Sequence, residues 1–201
     1  MKAVVIHAPG APEQLVMADV PEPDPGPSEV LVDVAFAGCN WADTQIRTGI
    51  YPHARTYPLV LGLEIAGTVS KLGPGVTGVK IGERVAAFLE QGGAYAEKAV
   101  APASMLMHLP DAIPFDVGAA LTVQPLTGYH MLHTIYGVAP GETVLINAIS
   151  GGVTLHDAAC GQSRRARHRH RRHSRQGEAC ARIRRRAGRH HPRRRLRAGR
   201  A

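Results

Sequence analysis

Short apolar runs separated by glycine and proline fill the first 110 residues. Strands are predicted at residues 2–7, 29–37, 84–89 and 106–109, with another that runs through Val69 within residues 59–70 and weak alternation over residues 94–100. The intervening segments are rich in turn residues, most clearly residues 21–27, where four prolines remove backbone donors and restrict φ. Many short strands at this spacing favour a compact, barrel-like β domain.

Two regions have the pattern of helices. Residues 40–47 form a short predicted helix, with Asn40 of a residue type that caps helix N-termini and Gly49 as its terminator. Residues 115–136 carry apolar residues at helical spacing. A break is predicted in this second region at Gly128, and Gly137 is predicted to end it.

An apolar, β-branched segment begins at Thr143 and leads directly into Ser150, Gly151 and Gly152. This order predicts a buried parallel strand that feeds a glycine-rich turn, where a dinucleotide-binding unit holds its pyrophosphate. Glycine lets the backbone approach phosphate closely, although the usual G-x-G-x-x-G spacing is absent. Short strands followed by helix, strand and glycine turn predict a β domain joined to the beginning of an α/β domain.

The hydrophobic pattern ends after Val153, and the charge changes with it. Residues 161–201 contain no Phe, Tyr, Trp, Val or Met, so burial cannot offset the chain entropy of folding and the tail is predicted to be disordered. Residues 1–160 hold seven Lys or Arg and fifteen Asp or Glu, a net charge of −8. Residues 161–201 hold seventeen Arg and one acid, a net charge of +16.

Cysteine usage and the N-terminus indicate a cellular setting. Cys39, Cys160 and Cys180 are too scattered for a disulfide framework or a Cys-x-x-Cys metal site, so a reducing compartment is expected. The apolar run at the N-terminus is too short for a signal peptide, and no run approaches the roughly 20 residues that span a bilayer. We expect a soluble, cytoplasmic protein with no membrane segment.

A series of colinear motifs carries a family resemblance. They are AGCNWADT at 37–44 with RTGIYP at 47–52, PLVLGLEIAGTV at 58–69, GPGVTG at 73–78, KIGERV at 80–85, GGAYAE at 92–97 and AALTVQPLTG at 119–128. In this order they resemble the medium-chain dehydrogenase/reductase superfamily, specifically its zinc-independent quinone-oxidoreductase branch. The resemblance covers residues 1 to about 153, three quarters of the chain.

This resemblance implies a fold, a domain organisation and an activity. Residues 1–112 would form a GroES-like, mainly β catalytic domain. Residues 113–153 would hold linking helices and the first strand and glycine turn of an incomplete Rossmann domain, with residues 154–201 as a non-homologous tail. Members of the branch transfer a hydride from NADPH to quinones or other electron-poor double bonds, in a cleft between the two domains.

The resemblance also bears on metal binding. Zinc alcohol dehydrogenases of the superfamily have a Cys ligand shortly after the glycine equivalent to Gly38, and a His ligand in a Gly-His-Glu triplet. Here Asn40 occupies the first of these places, and Leu63 replaces the His in the triplet that ends at Glu64. Neither an amide nor an alkyl side chain supplies a thiolate or imidazole ligand, so no catalytic zinc is expected.

Site residues follow from the same resemblance. Asn40, Asp43 and Tyr51 are the expected catalytic residues, with Tyr51 as donor to the substrate oxygen and Asn40 placed to fix the nicotinamide ribose or the substrate. The expected cofactor-binding residues are Asn40, Thr127, Gly151, Gly152 and Val153. NADPH is the expected cofactor, and a quinone or an α,β-unsaturated carbonyl compound the expected substrate.

Each site residue also has an ordinary structural interpretation. Asn40 could serve only as an N-cap, Asp43 could pair with Arg47 one helical turn later, and Tyr51 could be a half-buried loop aromatic. Glu64, between a turn and an apolar strand, is interpreted as structural, holding backbone donors.

Two interpretations of the tail remain open. Its excess of Arg, with no Lys, is typical of GC-rich codons read out of frame, which would leave a truncated copy with weak or no activity and weak NADPH affinity. Alternatively, the chain is a non-catalytic β domain whose basic tail binds nucleic acid through the phosphate backbone. We expect the first, and no nucleic-acid binding; intact relatives could form homodimers through the missing sheet.

Overall fold

The computed structural model describes residues 1–52, 55–139, 144, 151–153, 166–170 and 179–183. The chain divides into two compact units, Met1–Thr127 and Gly128–Ala201. The first unit contains both β-sheets of the N-terminal region and two short helices. No helix among the described residues is long and apolar enough to cross a membrane.

A three-stranded antiparallel sheet joins the N-terminus to the middle of the first unit. It contains β1 (Lys2–Ile6), β2 (Val16–Asp19) and β4 (Leu59–Val60), in the order β2-β1-β4. The sequence pattern does not predict β2, because its side chains do not alternate between a buried and an exposed face: Met17, for example, is 65% exposed. Pairing with β1 creates this strand.

A five-stranded antiparallel sheet forms the larger part of the first unit. It contains β3 (Glu29–Gly38), β5 (Glu64–Leu72), β6 (Arg84–Phe88), β7 (Lys98–Pro102) and β8 (Leu106–His108), in the order β7-β3-β5-β6-β8. Its inward side chains form a buried apolar cluster built from Val30, Val32, Ile65, Val69, Val85, Ala87, Leu89, Ala94, Ala99 and Ala101. The predicted strands are therefore present, and their β-branched residues supply the core.

Gly67 shows how closely β3 and β5 approach each other. A Cβ atom at this position would lie 2.0 Å from the carbonyl oxygen of Asp33 on β3. Glycine is therefore the only residue that fits here without moving the strand. The register between the two strands also shifts between Val34 and Phe36, which is typical of a β-bulge.

Three α-helices lie in the described part of the N-terminal 139 residues: α1 (Trp41–Thr48), α2 (Phe115–Ala119) and α3 (Gln124–Tyr129). The last continues as a π-helical segment, His130–Tyr136. Single 3₁₀ turns cover Pro12–Gln14 and Ala103–Met105. The predicted end of the region is confirmed, since Gly137 has left-handed backbone geometry with φ 68°.

The predicted break at Gly128 is wrong. Helix α3 runs through Gly128, and the interruption lies earlier, between Ala119 and Gln124. The backbone amide of Val123, within this interruption, donates to a buried side chain rather than to a helical carbonyl. A tertiary hydrogen bond therefore sets the break, which helical periodicity does not reveal.

Helix α2 packs against the five-stranded sheet. Ala119 joins Ala66, Ala86 and Leu109 in a second buried apolar cluster. Residues 113–127 therefore belong to the same compact unit as the strands β1 to β8. The domain boundary at residue 112 stays a prediction.

Only part of the C-terminal region is described. The predicted strand that begins at Thr143 lies outside the described residues apart from Val144, which has no regular structure. Gly152 and Val153 have helical backbone geometry. In the tail, β9 (Ala166–His170) and β10 (Ala179–Ile183) pair as an antiparallel ribbon.

The ribbon covers ten residues of the tail, and the disorder of the tail stays a prediction. Strand pairing satisfies backbone donors and acceptors whatever the side chains are, so it leaves no periodic signal in a sequence of this composition. The remaining tail residues lie outside the described part of the chain.

Candidate active site

Asn40 lies between the end of β3 and the first residue of α1, and is 8% exposed. Its extended backbone (φ −125°, ψ 153°) is that of a helix N-cap. The Asp43 carboxylate accepts a hydrogen bond from the Asn40 backbone amide at 2.7 Å, which is one half of a capping box. The predicted cap is thus confirmed, and it holds the Asn40 main chain in a defined place.

The Asn40 side chain is bonded at both ends of its amide. Its Nδ2 donates to Glu64 Oε1 at 2.9 Å, and its Oδ1 accepts from Gln124 Nε2 at 3.0 Å. The three residues come from the start of α1, the start of β5 and the start of α3. A polar connection therefore links three elements at this point.

Glu64 is the most deeply buried charged residue of this cluster, at 1% exposed. Its Oε2 accepts from the Thr122 hydroxyl at 3.0 Å and from the Val123 backbone amide at 2.8 Å. The interpretation of Glu64 as a holder of backbone donors is confirmed, and its contact with Asn40 extends that role. A buried carboxylate is tolerated here because donors reach both of its oxygens.

Gly38 makes room for this carboxylate. A Cβ atom at Gly38 would lie 2.4 Å from Glu64 Oε1 and 2.6 Å from its Cγ. The glycine that ends β3 is therefore required by the side chain of the neighbouring strand.

Asp43 is 4% exposed and uses only one of its carboxylate oxygens. Oδ2 accepts from the Asn40 backbone and, at 2.7 Å, from the Tyr95 hydroxyl, whereas Oδ1 is buried and has no hydrogen-bond partner. Burial raises the pKa of Asp43, and the hydrogen bonds from Tyr95 and Asn40 oppose that rise. Asp43 is thus held in place by two donors at an energetic cost of desolvation.

The alternative pairing of Asp43 with Arg47 is wrong. The Arg47 guanidinium donates instead to the backbone carbonyl of Gly10. Tertiary contacts to a loop and to Tyr95 displace the local one-turn pairing, since both are available once the strands have assembled.

Tyr95 belongs to this cluster, and the sequence-based set of site residues omits it. Burial raises the pKa of Tyr95 far above its ordinary range, and hydrogen bonds with the side chains of Cys39 and Asp43 add to this rise. A Cβ atom at Gly62 would lie 2.5 Å from the Tyr95 ring, so a larger residue at position 62 would overlap the ring in its observed position. The signal was present, because Tyr95 lies within the family motif at 92–97.

Tyr51 follows α1 and packs against an apolar cluster. The buried members of the cluster are Ile6, Ile46, Leu61 and Leu63. The Arg55 guanidinium lies 5.6 Å from the centre of the Tyr51 ring, and it also donates to the backbone carbonyl of Glu90. Tyr51 is therefore half-buried, in agreement with its ordinary structural interpretation, and a cation faces its ring.

The expected cofactor-binding residues occupy different surroundings. Thr127 is exposed, and its hydroxyl donates to the Val123 carbonyl one helical turn earlier at 2.6 Å. Gly151 is exposed, whereas Gly152 and Val153 are partly buried. The role of each in cofactor binding stays a prediction.

Among the described residues, no group of three His, Cys, Asp or Glu side chains lies close enough together to hold a metal ion. The chemistry of the cluster at Asn40 is that of hydrogen-bond donors and acceptors: two carboxylates, two amides, a phenol and a threonine hydroxyl. Such a set can orient a ligand with oxygen and nitrogen atoms and stabilise developing charge.

Residues 26–111 match the family model of the alcohol dehydrogenase GroES-like domain. The chain is 42% identical over 154 residues to a quinone oxidoreductase of Pseudomonas aeruginosa, covering 77% of this chain and 47% of that protein. It is 38% identical over 156 residues to a 2-haloacrylate reductase of a Burkholderia species, covering 75% of this chain and 46% of that protein.

A solved structure shows the same relationship in three dimensions. The quinone oxidoreductase of Escherichia coli, complexed with NADPH, superposes with a TM-score of 0.76 at 36% identity, covering 81% of this chain and 50% of the other. The chain spans about half the length of the curated relatives it matches.

Proposed function

This chain belongs to the quinone-oxidoreductase branch of the medium-chain dehydrogenase/reductase superfamily, and we propose that it supplies the substrate side of a zinc-free reductase that uses NADPH. The resemblance drawn from the colinear motifs and the predicted GroES-like β fold are confirmed. The proposed reaction transfers a hydride from NADPH to a quinone or to an α,β-unsaturated carbonyl compound.

The buried Asn40 amide carries the proposal. An asparagine amide offers two N–H donors and two acceptor lone pairs, and the contacts with Glu64 and Gln124 use one donor and one lone pair. The second lone pair faces the Asp43 backbone amide of the capping box, so among the described contacts one N–H is left for a ligand, and the surrounding bonds fix its direction. A carboxamide, a ribose hydroxyl or a substrate carbonyl has the atoms that would complete this set.

The relatives support the choice of cofactor and substrate. The Escherichia coli relative was solved in complex with NADPH. The Burkholderia relative is named for the reduction of 2-haloacrylate, which has a carbon–carbon double bond next to a carboxylate. A quinone and an acrylate share an electron-poor double bond that accepts hydride, so one class of reaction covers both names.

Bound NADPH would supply the hydride, and the residues of this chain would hold the two reactants. Asn40 would orient the nicotinamide end or the substrate oxygen, Tyr51 would donate to that oxygen, and Asp43 would keep Asn40 in position. Thr127 would contact the cofactor through its hydroxyl oxygen, which can still accept. Gly151, Gly152 and Val153 would contact the pyrophosphate through backbone amides.

Zinc has no part in the proposed reaction. Asn40 and Leu63 occupy the places of two zinc ligands in zinc-dependent members of the superfamily, and neither side chain provides such a ligand. Polarisation of the substrate carbonyl would then fall to hydrogen-bond donors. Homodimers and a cytoplasmic location also stay proposals, the latter based on the scattered cysteines.

NADPH titration into the full ¹⁵N-labelled chain tests the cofactor proposal. We expect the Asn40 side-chain amide signals to shift with a midpoint in the millimolar range, and turnover of a quinone to be slow or absent because the chain spans half the length of its relatives. No shift at saturating NADPH would contradict the proposal. Micromolar affinity would contradict the weak binding expected of a chain that spans half the length of its relatives.

A further inference from the structure

Glu64 contacts the proposed ligand-binding amide from a fully buried position. Its Oε2 faces two groups, the Val123 backbone amide, which can only donate, and the Thr122 hydroxyl. Its Oε1 faces the Asn40 side chain at 2.9 Å. With Oε2 occupied by donors, Oε1 is the acceptor that Glu64 presents to Asn40, and this acceptor requires the NH₂ end of the Asn40 amide.

Gln124 completes the arrangement from the other end. Its Nε2 donates both to Asn40 Oδ1 at 3.0 Å and to the backbone carbonyl of Cys39 at 3.4 Å. The Cys39 carbonyl can only accept, so it favours the Gln124 orientation in which the NH₂ group points toward Asn40. Acceptors at Glu64 and Cys39 therefore impose the same polarity on the intervening amides.

We propose that Glu64 is a positioning residue that sets the polarity of the Asn40 amide, so that Asn40 presents an N–H donor to an oxygen atom of the cofactor or substrate. This inference rests on the proposed function. Without the Glu64 acceptor, less opposes a half-turn of the Asn40 amide, which would exchange its NH₂ and carbonyl ends and require Gln124 to give up its contact with the Cys39 carbonyl. The unclaimed N–H would then be replaced by a lone pair, which repels the oxygen that it should bind.

The variant Glu64→Gln keeps the size and shape of the side chain and replaces one acceptor oxygen with an NH₂ donor, so it tests the effect of the acceptor on Asn40. The carbonyl of the substituted side chain would satisfy Val123 and Thr122, and its NH₂ group would face Asn40, which then turns its own carbonyl toward that group. The chain has two asparagines, Asn40 and Asn147. Selective ¹⁵N-asparagine labelling of the full chain therefore gives two pairs of side-chain amide signals, and Asn147→Ser identifies the pair from Asn40.

In the ligand-free protein we expect Glu64→Gln to shift the Asn40 amide signals and to change their exchange rate with water. Glu83→Gln is the matched control, since Glu83 also accepts from a backbone amide, that of Lys80, away from Asn40. Unchanged Asn40 signals in folded Glu64→Gln would overturn the proposal. The same shift in the control would overturn it as well.

If Glu64→Gln alone does not fold, a double variant that exchanges the carboxylate and the amide between residues 40 and 64 tests the proposal. Asn40→Asp places two carboxylates together, whereas the double variant Asn40→Asp with Glu64→Gln restores a donor–acceptor pair in the reverse order. We expect the double variant to recover most of the melting temperature lost by Asn40→Asp. Additive losses in the two single and the double variants would contradict a direct polar coupling between residues 40 and 64.

NADPH titration separates this inference from the proposed function. We expect Glu64→Gln to weaken NADPH binding by about tenfold, the loss of roughly one hydrogen bond. If the unsubstituted chain shows no NADPH-dependent shift, the proposed function fails, and the ligand-free measurement still decides the polarity of Asn40. If NADPH binds equally well to both chains, the positioning role of Glu64 is overturned and the proposed function stands.

Discussion

Asp43 combines a useful hydrogen bond with an unfavourable environment. Its Oδ2 accepts hydrogen bonds from the Asn40 backbone amide and the Tyr95 hydroxyl, whereas Oδ1 is buried and has no hydrogen-bond partner. Desolvation disfavours the charged form of a carboxyl group and raises its pKa. A residue that positions others can thus reduce the stability of the fold near neutral pH.

The pH dependence of unfolding tests this balance. The pKa of Asp43 is higher in the folded than in the unfolded chain, where an aspartate has a value of about 3.9. Its favourable contribution is therefore full below that value and is lost as the pH rises through the folded-state pKa. We expect the free energy of unfolding of the natural chain to fall relative to that of Asp43→Asn over this range, by about 1.4 kcal/mol for every tenfold difference in proton affinity.

Denaturant unfolding at a series of pH values measures the difference in free energy of unfolding between the natural chain and Asp43→Asn. Asp111→Asn is the control, because the Asp111 side chain is exposed. A constant difference between the natural chain and Asp43→Asn from acid to neutral pH would contradict the raised pKa of Asp43.

Gly38 is a residue whose side chain is excluded by a neighbour. In Gly38→Ala the new methyl group would overlap Glu64 Oε1 at 2.4 Å, and any movement of this carboxylate, which is 1% exposed, would disturb its hydrogen bonds with Asn40, Thr122 and Val123. We expect a loss of roughly 1–3 kcal/mol in the free energy of unfolding, as for other overpacked sites. Gly26→Ala is the control, since its methyl group would meet only the Glu29 side chain at 3.0 Å; equal losses would contradict this explanation.

At the scale of secondary structure, α1 carries its start and end signals locally. Asn40 and Asp43 form part of a capping box at its N-terminus, and Gly49 ends it in the left-handed conformation. The predicted helix at residues 40–47 therefore matches the observed Trp41–Thr48 within one residue. Helices whose ends are set by their own sequence are the elements that sequence patterns locate best.

Gly49 and Gly75 have the same φ but different surroundings, so substitutions at the two positions distinguish the cost of backbone strain from the cost of steric overlap. Gly49 and Gly75 both have φ 77°, but a Cβ atom at Gly49 would lie 2.8 Å from Pro9 Cβ, whereas none of the described atoms lies within 4 Å of a Cβ at Gly75. We expect Gly75→Ala to cost roughly 1–2 kcal/mol from the left-handed conformation alone. Gly49→Ala should cost more, as measured by thermal unfolding; equal costs would show that Pro9 moves aside freely.

At the scale of the whole molecule, the apolar clusters lie in the first compact unit. Their buried residues run from Ile6 to Ala119, and the partly buried residues that pack against them extend to Val123. The cluster at Asn40 is also complete within Met1–Thr127, because Gln124 is its last member. We therefore expect the fold of this unit and its candidate site to be independent of the Arg-rich tail.

Shortening the chain tests this independence. We expect a chain that ends at Thr127 to unfold in one cooperative thermal transition, because it retains every buried apolar cluster found among the described residues. Its Asn40 amide signals should match those of the full chain. Calorimetry and NMR provide the two measurements, and a non-cooperative transition would show that residues beyond Thr127 are required.

The sequence by itself determined the β-rich architecture, the caps of α1 and the family, because strands, turns, caps and motifs are contiguous signals. Tertiary structure decided which side chains meet. Asn40 lies 24 residues from Glu64 and 84 from Gln124, and Asp43 lies 52 from Tyr95. No local pattern encodes such pairs; they form because antiparallel pairing of β3 with β5 brings Gly38 opposite Glu64, immediately beside Asn40.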